Sequence, residues 1–86
     1  MEVKVLNEDK KVIEVQIDNL TVTETIREYL NKDKSVEFAA WKRVHPSNPP
    51  MLRVQTKGKS PKKAIQEAID SISKDINDIA SEAKKI

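Results

Sequence analysis

The stretch SPKKAIQEAIDSISKDINDIASEAKKI, residues 60–86, decides how the rest of the chain is to be read. Ser60 is a favourable N-cap, and Pro61 suits the first helical position, where a missing N–H costs nothing. Nothing after them breaks a helix before Ile86, which makes a rod of roughly 39 Å at ~1.5 Å per residue. Ile65, Ile69, Ile72, Ile76, Ile79, Ala83 and Ile86 recur in alternating steps of four and three. That is a heptad seam, narrower and longer than a surface helix needs. Ala64, Ala68 and Ala80 flank it with side chains small enough for another helix to approach closely.

Gly58 ends the element before this helix, at a turn that calls for unusual φ. Upstream, Leu52, Val54 and Thr56 alternate with Met51, Arg53 and Gln55, the period of a strand. Val36, Phe38 and Ala40 alternate with Glu37, Ala39 and Trp41 in another, predicted to reach about Val44. Between them, His45-Pro46-Ser47-Asn48-Pro49-Pro50 is a stiff loop, because its prolines fix φ and remove donors. Thr21-Val22-Thr23-Glu24 fits a capping box, with Thr21 as N-cap and Glu24 reaching back. Val22, Ile26, Tyr29 and Leu30 then share one helical stripe, which Asn31-Lys32-Asp33-Lys34 ends. At the N-terminus Val3 and Val5, then Ile13, Val15 and Ile17, alternate with polar residues across the turn Asn7-Glu8-Asp9-Lys10, as in a hairpin. The order β-β-α-β-β-α predicts an α+β domain over residues 1–86: a four-stranded antiparallel sheet with two helices on one face.

Composition bounds the function. The chain has 86 residues, with 16 Lys+Arg, 14 Asp+Glu, one His and no Cys. A single Phe, Trp and Tyr leave the core to aliphatic side chains. Without cysteine and with one histidine, a closed zinc site, a disulfide framework and a thiol nucleophile are excluded. No apolar run approaches the ~20 residues of a membrane span, and Met1-Glu2-Val3-Lys4 does not read as a signal peptide. A soluble, cytoplasmic domain is expected, with no cofactor and no small-molecule substrate. His45 has no nucleophile or orienting carboxylate in any sequence pattern around it. Thr56-Lys57-Gly58-Lys59-Ser60 lacks the first glycine and the spacing of a phosphate-binding loop.

Two features point to partners. Four strands span roughly 19 Å at ~4.8 Å spacing, so a 39 Å helix overhangs the sheet by two turns or more. About three isoleucines left bare would forgo roughly 5 to 9 kcal/mol, comparable with the whole stability of a small domain. The distal seam is therefore expected against another chain; a curved or offset sheet that buries it internally is the other reading. The second feature is charge. No acidic residue lies between Glu37 and Glu67, whereas Lys42, Arg43, Arg53, Lys57, Lys59, Lys62 and Lys63 do. Lys62 and Lys63 sit where the helix dipole disfavours cations. A solvated face, an acidic protein partner contacting Lys57, Lys59, Lys62 and Lys63, and nucleic acid are the three readings. The last would make the chain a small basic nucleic-acid-binding domain, but only Trp41 interleaves an aromatic ring with the cations.

Val36-Glu37-Phe38-Ala39-Ala40-Trp41-Lys42, His45-Pro46, Leu52-Arg53-Val54-Gln55-Thr56-Lys57-Gly58, and Pro61 ahead of Ala64 and Ala68, together resemble archaeal RNA polymerase subunit L. The resemblance covers nearly the whole chain and includes the element order. It implies the dimerisation fold shared with the bacterial alpha subunit, and a non-catalytic role in transcription. It implies a heterodimer with the larger, D-type polymerase subunit, made through the first and last helices. That pair then carries the large catalytic subunits, with DNA met only through the complex. The residues so implicated are Val22, Ile26, Tyr29 and Leu30 on one helix, and Ile65, Ile69, Ile72, Ile76, Ile79 and Ala83 on the other. The family usually carries an acidic-His-Thr-Leu-Gly-Asn run at the start of the first helix. Here the chain reads Asp18-Asn19-Leu20-Thr21-Val22-Thr23-Glu24, without that His and Gly.

Overall fold

The structure, a computed structural model, describes residues 2–85. Its elements are β1 (Val3–Glu8), β2 (Val12–Ile17), α1 (Leu20–Asn31), β3 (Val36–Lys42), β4 (Met51–Thr56) and α2 (Pro61–Lys84). Two tight turns make the local pairings. The Asp9 carboxylate accepts from the backbone N–H of Lys11 and Val12, at 2.8 and 2.9 Å, and so closes the β1–β2 hairpin. Those same N–H bonds hold its carboxyl below the usual carboxylate range. Gly58, at φ 92°, turns the chain from β4 into α2. The Ser60 hydroxyl then accepts from the Lys63 N–H at 3.2 Å, as its N-cap position predicts.

The sheet is antiparallel throughout, in the order β1-β2-β4-β3. β4 inserts between β2 and β3, so β2 and β3 run parallel, and α1 supplies the crossover that a parallel pair requires. Both helices lie on one side. Under them Ile13, Val15 and Ile17 of β2 and Leu52, Val54 and Thr56 of β4 are buried, together with Ala39 of β3. From the helices come Thr23, Ile26, Leu30, Pro61, Ala64 and Ala68. The buried hydroxyls of Thr23 and Thr56 bond to the carbonyls of Asn19 and Lys59, so neither is left unpaired in the core.

Three local expectations change. The α1 N-cap is Asn19, not Thr21: its side chain accepts from Val22 N–H at 3.0 Å. Glu24 therefore does not reach back; it chelates Arg27 at 3.0 and 3.1 Å and accepts from the Trp41 indole N–H. The Arg27 bonds, then the Trp41 bond, lower its carboxyl pKa. β3 ends at Lys42 rather than Val44, because its partner β4 starts only at Met51, after two prolines that offer no donor. Finally, a bulge between Val36 and Phe38 shifts the phase of β3. Ala39 and Trp41 turn toward the helices, while Phe38 stands 47% exposed.

Candidate partner-binding face

α2 has two halves with different surroundings. Up to Ile72 it packs on α1 and the sheet: Ala64 and Ala68 are buried, and Ile65 and Ile72 are half-buried against the core. The helix that these alanines let in is α1 of the same chain; Ala80 has no such neighbour and is exposed. From Ser73 to Lys85 every residue is exposed. Twelve residues from 73 to 84 make an overhang of roughly 18 Å at ~1.5 Å each. Ile69, Ile76 and Ile79 are 40, 59 and 69% exposed. Ala83 continues the line in solvent, and Ile86 lies outside the described residues.

The seam does not run into solvent alone. It borders an apolar groove of about 200 Å³ between α2, α1 and the β1–β2 edge, lined by Val3, Val15, Ile17, Val22, Ile26, Ile65, Ile69 and Ile72 with one serine, Ser73. Val3 pairs with Ile17 and Val5 with Val15, which places both on the helix side of the sheet. Neither helix reaches far enough to cover them, and both are exposed, as is Leu20 at the start of α1. Val3, Val5 and Leu20 thus extend the bare surface beyond the residues that helical periodicity selects. The signal for the valines was their alternation on a strand outside the reach of two helices.

The other implicated positions divide. Val22 and Ile65 are half-buried along the groove, as is Ile72. Ile26 and Leu30 are corrected: at 3 and 1% exposed they belong to the chain's own core. Ile26 forms the groove floor, and Leu30 sits beneath the helix pair. Tyr29 joins the two helices, its hydroxyl donating to Asp75 Oδ2 at 2.5 Å. The Asp75 carboxylate holds that phenol proton and raises its pKa. The bond ties α1 to the exposed half of α2 and braces the overhang.

The basic residues divide as well. Lys59 is already engaged within the chain: its ammonium lies 2.5 Å from both Asp33 and Glu67. It clamps the end of α1 to the first turns of α2. The Asp33 bond, then the Glu67 bond, raises its pKa, and Lys59, with the Ser35 N–H, lowers that of Asp33. Lys57, Lys62 and Lys63 are exposed. Among the described residues no group of three or more His, Asp or Glu side chains is placed to hold a metal ion. No described helix is long and apolar enough to cross a membrane.

A two-layer α+β domain with a helical overhang, and an apolar groove at its base, defines a class of small domain with a helical face that its own sheet leaves uncovered. Residues 10–82 match the RNA polymerase Rpb3/Rpb11 dimerisation domain, and the chain belongs to that family. DNA-directed RNA polymerase subunit Rpo11 of Sulfurisphaera tokodaii is 36% identical over the whole of this chain and 97% of its own length. The Rpo11 subunit of Thermococcus sibiricus is 33% identical over 84% of this chain and 82% of its own. The crystal structure of RNA polymerase subunit L from Thermoplasma acidophilum superposes with a TM-score of 0.88 at 29% identity, covering 98% of this chain and 86% of that one. The chain is thus of the non-catalytic Rpb11/L dimerisation type; its homologues are subunits of a polymerase complex, not enzymes on their own.

Proposed function

We propose that the chain pairs with a D-type dimerisation subunit through the α2 seam and the groove at its base, and that the pair forms the platform for the large catalytic subunits in transcription. The observation that carries this reading is the overhang: half of a heptad-patterned helix stands clear of the sheet, with Ile76 and Ile79 in solvent. An exposed apolar seam of that length is the kind of surface that marks a protein–protein contact. The names of the Rpo11 relatives support the polymerase setting, which is cytoplasmic and meets DNA through the assembled complex. Ile69, Ile76, Ile79 and Ala83 meet the partner helix, Val22, Ile65 and Ile72 line the groove, and Tyr29, Ile26 and Leu30 support it from within.

Co-expression with a D-type partner and light scattering on the purified product tests the pairing. A one-to-one complex stable to gel filtration is expected. Recovery of the two chains as separate species overturns it.

A further inference from the structure

The side of the sheet away from the helices is also bare. Register places Phe38, Ala40 and Lys42 of β3 beside Gln55, Arg53 and Met51 of β4 on this side. Phe38, Ala40, Trp41 and Met51 form the apolar part of a shallow depression of about 270 Å³, into which Lys42 and Arg53 bring cations and no residue brings a carboxylate. Arg53 is paired with Glu14 at 3.0 Å, whereas among the described residues no carboxylate pairs with Lys42 or Arg43. β3 is the outer strand, so a free backbone edge runs alongside the depression. At this edge the Asn31 amide reaches the Ala39 carbonyl at 3.5 Å. Past the strand end, Val44 stands 83% exposed.

We propose that this face is a second protein-binding surface, which takes an extended acidic segment bearing one aromatic or large aliphatic side chain. The apolar side chain fills the depression on Phe38 and Met51. Carboxylates meet Lys42 and Arg43, and the segment's backbone adds to the β3 edge. Opposite charge sets the occupant's sign at the Lys42 end of β3: Glu14 is already neutralised by Arg53, and Glu37 lies at the opposite end of the strand. A single-stranded nucleic acid fits less well, because Phe38 is the one exposed ring of the depression, Trp41 being half-buried with its indole N–H on Glu24, and one ring does not make a stacking row. The surface lies across the sheet from the α2 seam, so both faces are available at once, whichever chain covers the seam.

The test is selection of random dodecapeptides displayed on phage against the full-length chain. Binders to a Phe38→Ser, Lys42→Glu, Arg43→Glu variant are first removed, which discards peptides that occupy the seam groove. The three positions are exposed, so the variant should keep the wild-type far-ultraviolet circular dichroism; should it not, Phe38→Ser alone replaces it. The surviving pool should be rich in Asp and Glu around one large apolar residue. A synthetic peptide of that consensus should bind wild type, and bind Phe38→Ser and Lys42→Glu/Arg43→Glu about tenfold more weakly or worse. A pool with no acidic, apolar consensus overturns the proposal. So does a consensus peptide that binds these variants as it binds wild type, or a single-stranded oligonucleotide that outcompetes it on the same face.

Discussion

Replacing Ile76 by Asp separates a seam that serves another chain from one that serves this fold. The side chain is 59% exposed, so a partner that covers it removes about six-tenths of its surface from water. At ~1.5 to 3 kcal/mol for complete burial of an isoleucine, that contact is worth about 0.9 to 1.8 kcal/mol. A carboxylate placed there must lose water without a cation to meet it, or force the helices apart, which adds on the order of 2 to 3 kcal/mol. The association constant should therefore fall by roughly two to three orders of magnitude, at ~1.4 kcal/mol per tenfold. The folded chain alone should hardly notice, because its core stops at Ile72 and Ala68. Co-purification with a D-type partner reads the first effect, and a thermal melt of the isolated chain reads the second. Ser81→Asp, on the same overhang but off the stripe, is the control for charge alone and should pair normally. If Ile76→Asp melts the isolated chain while pairing survives, the seam belongs to the internal core and not to an interface.

Leu30→Ala should do the reverse: Leu30 is 1% exposed, so its truncation should cost ~2 to 5 kcal/mol of folding stability, seen as a large drop in melting temperature by circular dichroism. Lys62→Glu with Lys63→Glu removes two exposed cations from the first turn of α2 and should raise the melting temperature by a few degrees, through about 0.3 to 1 kcal/mol each. If these lysines meet an acidic partner surface, the same pair should slow association at low salt, measured by stopped flow; an unchanged rate returns them to a solvated face. The Asp33 carboxyl titrates below its ordinary range because Lys59 and the Ser35 N–H hold its charged form. Its contribution is thus complete above the unfolded value, about 4, and is lost as pH falls through the lower folded value. Asp33→Asn should lower stability to urea near neutrality and flatten its decline in acid, compared with wild type over the same pH series.

The overhang was legible in the sequence because helical periodicity is a local property. The four-three steps from Ile65 to Ile79, set against the width of four strands, placed the overhang before any contact was known. Periodicity says only that Ile26, Leu30, Ile76 and Ile79 lie on apolar stripes; it does not say which stripe positions the chain's own sheet will cover. Ile26 and Leu30 go inside because α1 lies wholly over the sheet, and Ile76 and Ile79 stay outside because α2 outruns it. Lys59 shows the same limit for charge. In the sequence it is one of seven cations in an acid-free run, yet Asp33 and Glu67 from outside that run close on it in space.

The six elements, their order, both hairpins, the Ser60 cap and the length of the last helix are all readable from the amino-acid sequence. Each follows from dihedral preference, local capping and apolar period, which act over a few residues. Tertiary structure alone decided that β4 and not β3 lies at the sheet centre, since either strand of that hairpin carries enough apolar residues to pair with β2. It also decided that Phe38 faces out, because the bulge between Val36 and Phe38 exists only in the pairing of β3 with β4 and leaves no mark in the apolar period of β3. And it decided that Val3 and Val5 join the bare surface, because whether an alternating strand is covered depends on where helices distant in the chain come to rest.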